Sequence, residues 1–230
     1  MLSGLQKLTL LDFPGTVACT VFTSGCNFRC PFCHNASLVL PGAGGETLDE
    51  ETLLSFLKKR VGIVEGVVFT GGEPLLHADI LSLFEKIRVL GYKIKLDTNG
   101  SFPDILEKAI KEKLIDRVAM DIKNSPAEYG KAIGAVTVDF SKIERSKNLL
   151  MASGIDYEFR TTVVKGIHTV ESLTDAAKWI EGAKEYYLQQ FKDSGNLLSA
   201  EGLSEFSREE MEKLADAVRP YVPSVTLRGV

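Results

Sequence analysis

Three cysteines stand in one short stretch, Cys26-Asn-Phe-Arg-Cys30-Pro-Phe-Cys33. A thiolate is a soft, anionic ligand, and three at spacings of four and three residues can wrap one face of a cubic iron–sulfur cluster. One iron is then left without a protein ligand, open to a substrate or cosubstrate as the free position of a catalytic zinc site is. Zinc is the rival metal. A closed structural zinc site takes four ligands, usually as two separated CxxC-type pairs, and here the fourth would have to be Cys19 or His34. Cys19 falls inside an apolar run, where a free cysteine acts as a small hydrophobe. His34 adjoins Cys33 and would strain to share its metal. The spacing therefore points to a [4Fe–4S] cluster on Cys26, Cys30 and Cys33. All four cysteines lie between residues 19 and 33, whereas a disulfide framework would spread them to staple distant segments. A reducing compartment, the cytoplasm, is the expectation.

Other polar groups recur behind apolar runs. Thr70-Gly71-Gly72-Glu73-Pro74 combines two glycines, which let a ligand approach the backbone closely, with one carboxylate expected at the mouth of the fold. Asp97-Thr98-Asn99-Gly100 ends another run. Asp121-Ile122-Lys123 ends a third, and its two charged residues share a face because they are two apart in a strand. Each of these also fits a plain strand-end turn or solvated charge pair. Arg160 sits between Phe159 and Thr161 in mid-run. A charge there needs a partner: a bound carboxylate, Glu158 or Asp121.

The elements that must hold these groups alternate. Strand-like runs are expected at 17–22, 66–70, 93–98, 117–122, 157–164 and 185–190, with a short VTLR run at 225–228 closing the chain. Helical periodicity lies between them. The first helix is expected from Thr47, where Thr47-x-x-Glu50 reads as a capping box. The second carries Ile80, Leu81, Phe84, Ile87 and Leu90 and stops at Gly91. The third has Pro103 in its first turn. Others are expected around 141–153 and 169–180, and the last opens on a capping box, Ser207-x-x-Glu210. Six βα units in succession predict an α/β fold with a parallel sheet and right-handed crossovers, either an open doubly wound sheet or part of a (β/α) barrel. In both, functional groups gather at the C-terminal ends of strands. No linker or repeat interrupts the chain, so one domain over 1–230 is expected.

The cysteine loop, the GGEP turn one βα unit later and the DxK strand end resemble the radical SAM superfamily. That resemblance implies a partial (β/α)6 barrel of parallel strands with outer helices. It also implies a [4Fe–4S] cluster whose open iron chelates the amino and carboxylate groups of S-adenosylmethionine (SAM). Reductive cleavage of SAM then gives methionine and a 5′-deoxyadenosyl radical. On the same resemblance Phe32 matches an adenine contact and His34 lies beside it among the cofactor-binding residues. Gly71, Gly72 and Glu73 match the element that binds the methionine amino group. Asp121 and Lys123 match the element that contacts ribose and carboxylate, and Asp97 and Arg160 are further polar SAM contacts.

Within the superfamily, Leu10-Leu11-Asp12-Phe13-Pro14-Gly15, Phe22-Thr23-Ser24-Gly25-Cys26-Asn27 and Cys33-His34-Asn35 resemble the glycyl-radical-enzyme activases of the anaerobic ribonucleoside-triphosphate reductase group. The implied activity is that of an oxidoreductase that abstracts hydrogen from a glycine of a glycyl radical enzyme. A flavodoxin- or ferredoxin-type protein is the implied electron donor. The segment Val39-Leu40-Pro41-Gly42-Ala43-Gly44-Gly45 could form a lid that the partner orders. Related activases carry a histidine at the end of the last barrel strand. Here the stretch is Leu188-Gln189-Gln190-Phe191-Lys192, which leaves the adenosine contact on that side unassigned. The alternatives are a radical SAM enzyme acting on a small molecule, as 7-carboxy-7-deazaguanine synthase does, and a non-catalytic iron–sulfur protein. The former resembles Cys-Asp-Thr where this chain has Cys33-His34-Asn35. The latter would want a fourth cysteine ligand.

Bulk composition gives no other lead. The 230 residues are 44% hydrophobic and 25% charged, with a formal net charge of −4. That balance gives no electrostatic reason to expect nucleic acid or an anionic membrane as partner. No apolar run reaches the roughly 20 residues needed to span a bilayer, and no signal peptide is expected at the N-terminus.

Overall fold

A computed structural model of the chain describes residues 2–40, 47–135, 138–193 and 195–230. The strand β1 (Leu2–Thr9) pairs antiparallel with β2 (Ala18–Thr23). After β2 come α1 (Ala36–Val39), α2 (Glu50–Lys58) and β3 (Gly66–Gly71). A 3-10 turn at Pro74–Leu76 leads into α3 (Ile80–Val89), β4 (Lys93–Thr98), α4 (Pro103–Lys111) and β5 (Arg117–Asp121). Then come α5 (Tyr129–Ala132), α6 (Phe140–Ser153), β6 (Asp156–Val163), α7 (Val170–Trp179), β7 (Tyr186–Gln190), α8 (Arg208–Val218) and β8 (Val225–Arg228). The strands form one sheet in the order β1 to β8. Every neighbouring pair from β2 onward is parallel. The result is the expected partial barrel, with β1 and β8 at its two ends. No described helix is long and apolar enough to cross a membrane.

Two expectations about elements are corrected. The sequence reading contains no β1, because the register slips between Leu2 and Gly4 and again between Gln6 and Thr9, so no clean alternation marks the strand. Helix α2 does not start at Thr47. Leu48 is drawn into an extended bridge with Leu2, and Asp49 is the cap, its Oδ1 accepting the Thr52 N–H at 2.6 Å. The capping box at Ser207 and Glu210 forms as expected, and Gly91 follows α3 with φ +88°.

The apolar layer lies between sheet and helices. Ile94 and Leu96 of β4 join Leu83, Phe84 and Ile87 of α3 in one buried cluster. Their alternates, Lys95 and Asp97, face the concave side, where side chains of β4, β5, β6 and β8 meet. Arg117 of β5 and Arg228 of β8 both bind Glu158 of β6, at 2.9 Å each. These parallel strands thus alternate in sequence, unlike the continuous apolar runs of sheets with two apolar faces, because one face lines a charged interior. Burial pushes the Glu158 carboxyl up, but the two guanidinium groups outweigh it and hold the carboxyl down at about 2.

Candidate active site

The loop from residue 23 to 40 leaves the C-terminal end of β2 and is tied down at both ends. Gly25 donates its N–H to Leu38 O at 2.7 Å, and Cys33 closes a turn on Cys30 O at 3.0 Å. The Arg29 side chain donates to Cys26 O and Phe28 O. The turn after β3 interlocks with this loop. Gly72 donates to Thr23 O and Glu73 to Gly25 O, each at 2.8 Å, while Asn35 Nδ2 donates to Gly71 O at 3.2 Å. A Cβ on Gly72 would lie 1.9 Å from the Gly25 carbonyl oxygen, so only glycine allows this contact.

Glu73 does not stand at the mouth as expected. It is 0% exposed and does not line the pocket. Its Oε1 accepts from Leu75 N at 3.1 Å and Thr98 Oγ1 at 2.8 Å, and its Oε2 from Asn99 N at 2.7 Å. Burial pushes this carboxyl up to about 7 in spite of those donors. The side chain fastens the end of β4 to the GGEP turn, and Gly71 and Gly72 are what this turn presents to the cavity.

Behind the loop runs a chain of alternating charge. Lys95 binds Asp97, Arg160 Nη1 binds Asp97 at 2.9 Å, Arg160 Nε binds Asp121 at 3.0 Å, and Lys123 binds Asp121 at 2.9 Å. Asp121 is therefore a partner of Arg160, as expected, and Asp97 is the second; Glu158 is engaged by Arg117 and Arg228 instead. Burial raises the Asp121 carboxyl, but Arg160 and Lys123 outweigh it and hold it at about 2. Burial opposes the charges of Lys123 and Arg160 as well, and their carboxylates more than offset it, so both are held above their ordinary values. Three cations and two carboxylates leave this chain with an excess of positive charge, which suits an anionic ligand group.

The segment bearing Asp121 and Lys123 is fixed by its backbone. Three consecutive carbonyls accept from buried side chains: Asp121 O from Tyr129 Oη at 3.3 Å, Ile122 O from Thr161 Oγ1 at 2.6 Å, and Lys123 O from His168 Nε2 at 2.9 Å. The Phe32 ring packs edge-on against His168, with centroids 6.1 Å apart, and is 3% exposed.

These groups surround one cavity of ≈ 230 Å³. Cys26, Cys30, Cys33, Phe32, His34, Gly71, Gly72, Asp97, Asp121, Lys123 and Arg160 all line it, whereas Glu73 does not. Cys19 is fully buried in β2 and lies elsewhere. Asn35, Thr98, Asn99 and Gln189, which stand in the stretches singled out from sequence but carry no role of their own there, also line the cavity, as does Thr162. Of the expected lid, Val39 ends α1 and reaches the cavity wall, whereas 41–45 lie outside the described residues. Among the described residues no three His, Cys, Asp or Glu side chains could hold one metal ion. Three thiols opening on one cavity, with no carboxylate among them, fit a cluster that attaches each to a different iron. Burial pushes the thiol of Cys26 up and that of Cys30 up to about 12, so loading a cluster there releases protons.

Comparison with known proteins agrees with this geometry. The model of the Radical SAM superfamily matches residues 20–180. A Methanocaldococcus jannaschii protein, named as a candidate glycyl-radical enzyme activating enzyme, is 30% identical over 100% of this chain and 96% of its own length. The pyruvate formate-lyase-activating enzyme of Clostridium pasteurianum is 31% identical over 53% of this chain and 51% of its own. Among solved structures, Streptococcus suis SuiB bound to S-adenosylmethionine superposes with a TM-score of 0.68 at 15% identity, over 90% of this chain. The match takes in 49% of the SuiB chain, so this chain spans about half that length.

Proposed function

The chain belongs to the radical SAM superfamily, whose cofactors are a [4Fe–4S] cluster and SAM, and from that premise we propose that it is a glycyl-radical-enzyme activase. When bound, the cluster and SAM supply a 5′-deoxyadenosyl radical that takes a hydrogen atom from the substrate. The substrate proposed here is a glycine Cα in a loop of a large partner protein. The observation that carries this reading is the likeness over nearly the full length of both chains to the M. jannaschii protein of that name.

The residues would divide the work as follows. Cys26, Cys30 and Cys33 hold the cluster. Gly71 and Gly72 give the ligand close access to the protein backbone at the end of β3. Lys123, steadied by Asp121, takes the SAM carboxylate, and Arg160 keeps Asp97 and Asp121 aligned. Gln189, at the end of β7 where the related activases carry histidine, offers an amide on the side left unassigned for adenosine. The loop of the partner closes the cavity and excludes water, which protects a reactive intermediate.

Electron paramagnetic resonance on reduced enzyme, SAM and the cognate glycyl radical protein tests the proposal. A glycine-centred doublet, lost when that glycine becomes alanine, is the expected result. Repeated turnover of a small metabolite with no partner present would sink the activase reading and leave the superfamily assignment intact.

A further inference from the structure

We infer that Asn99 tunes the reduction potential of the cluster through the sulfur of Cys26; the inference rests on the proposed role of Cys26 as a cluster ligand. Asn99 lies just beyond β4, is 6% exposed, and points its Nδ2 at Cys26 Sγ, 3.8 Å away. The direction of the amide is fixed by its partners. Its Oδ1 accepts the backbone N–H of Ser101 at 2.9 Å, a group that can only donate, so the nitrogen must face the sulfur. The same Oδ1 accepts from Ser101 Oγ at 2.5 Å. Asn27, the residue after the ligand, completes a ring: its Oδ1 accepts Asn99 Nδ2 at 3.0 Å and its Nδ2 donates to Ser101 Oγ at 2.9 Å. The backbone N–H of Asn99 is held in turn by Glu73 Oε2. Cys26 Sγ also receives the Phe28 N–H at 3.4 Å.

A thiolate bound to a cluster carries more negative charge after the cluster gains an electron. An N–H dipole aimed at that sulfur stabilises the reduced form more than the oxidised one, and hydrogen bonds to the sulfurs are among the levers that set cluster potentials. Asn99 is buried, so water competes little for its N–H. Asn99 thereby eases the electron's arrival on a cluster that must be reduced before SAM can be cleaved. A purely structural clip between β4 and the cysteine loop would alter how much cluster is held without moving the potential of what is held.

The test is a redox titration of anaerobically reconstituted holoenzyme without SAM, followed by the resonance signal of the reduced cluster, with iron and sulfide measured on each sample. Asn99→Ala is expected to keep its iron and sulfide and to titrate at a more negative potential than wild type. Asn99→Asp, which keeps an acceptor for Ser101 and replaces the donor with an oxygen, should lie lower still. Ser101→Ala keeps the backbone N–H that points the amide but removes the hydroxyl that binds Asn99 Oδ1 and Asn27 Nδ2, and should shift the potential little. A loaded Asn99→Ala that titrates with wild type overturns the inference. If Asn99→Ala loads no cluster, Asn99→Asp, which keeps the shape and the bonds from Ser101, decides: a wild-type potential overturns the inference and a negative shift supports it. Wild-type protein that takes up no iron would instead overturn the cluster reading on which the inference stands.

Discussion

His168 Nε2 lies 2.9 Å from the carbonyl oxygen of Lys123, so a buried imidazole holds the backbone of the residue that brings an ammonium group to the cavity. The other ring nitrogen, Nδ1, accepts the Val164 N–H at 3.0 Å. An acceptor at Nδ1 places the proton on Nε2, and a second proton would set two donors against each other.

The first prediction follows from that neutral ring. Burial pushes His168 down to about 4. A folded-state value below the unfolded one, ~6.5, means the unfolded chain binds the proton more readily. The stability is complete above about 6.5 and is lost as pH falls towards 4. At ~1.4 kcal/mol per pH unit the effect is bounded at about 3 kcal/mol. Denaturant unfolding between pH 7 and pH 4 should show this slope in wild type and a shallower one in His168→Gln. Equal slopes would mean the ring is not held neutral.

Gly72→Ala tests the interlock between the two loops. Its Cβ would meet a backbone oxygen at 1.9 Å, and neither backbone can yield without moving the cysteines. The variant is expected to fold around its helices and sheet but to reconstitute with little iron. Wild-type iron content in Gly72→Ala would show that the close approach is dispensable.

Glu73→Gln asks whether the buried carboxylate is a clasp. Three donors converge on its two oxygens. A glutamine can accept only on one side, so its NH2 would face either the Asn99 N–H or the Leu75 and Thr98 donors. Leaving a buried donor unpaired costs about 1–3 kcal/mol. The loss should appear as a lower midpoint in denaturant, with the slope unchanged. No loss would mean that the carboxyl is already protonated and donating.

What could be read from sequence was local in sequence. The three cysteines, the paired glycines of the turn after β3 and the Asp121–Lys123 pair each declare themselves within a few residues, and each stands at the cavity. What escaped depends on segments brought together only by the fold. His168 acts on Lys123 from 45 positions away, and the Asn99 ring joins residues 72 and 74 apart. Glu73 was misplaced because its motif fixes its position in the chain but not which way its side chain turns, and three inward donors decide that. Gln189 stood in the open, in the stretch that lacks the histidine, and its place on the concave face of β7 is what makes it a lining residue.

The cysteines give a sharp contrast. Alanine at Cys26, Cys30 or Cys33 should each remove most of the cluster, read as iron and sulfide per chain. Cys19→Ala should leave the cluster in place and cost only packing, on the order of 1 kcal/mol for a small buried side chain. A cluster lost with Cys19 would mean that β2 supplies a fourth ligand and that no iron is left open.

The last prediction concerns SAM itself. Lys123→Ala removes the ammonium proposed to meet the SAM carboxylate. Asp121→Ala leaves that ammonium in place but takes away the carboxylate that steadies it and Arg160. Losing a charge-assisted hydrogen bond at the site should weaken SAM binding by about 1.5–3 kcal/mol in each variant. Calorimetric titration of cluster-loaded protein reads this directly. Because the two side chains touch, their effects should not add: the double variant should lose less than the sum of the singles, since Asp121 acts on SAM largely through Lys123. Full additivity would mean that each contacts SAM independently. Unchanged affinity in both single variants would remove the pair from the SAM site altogether.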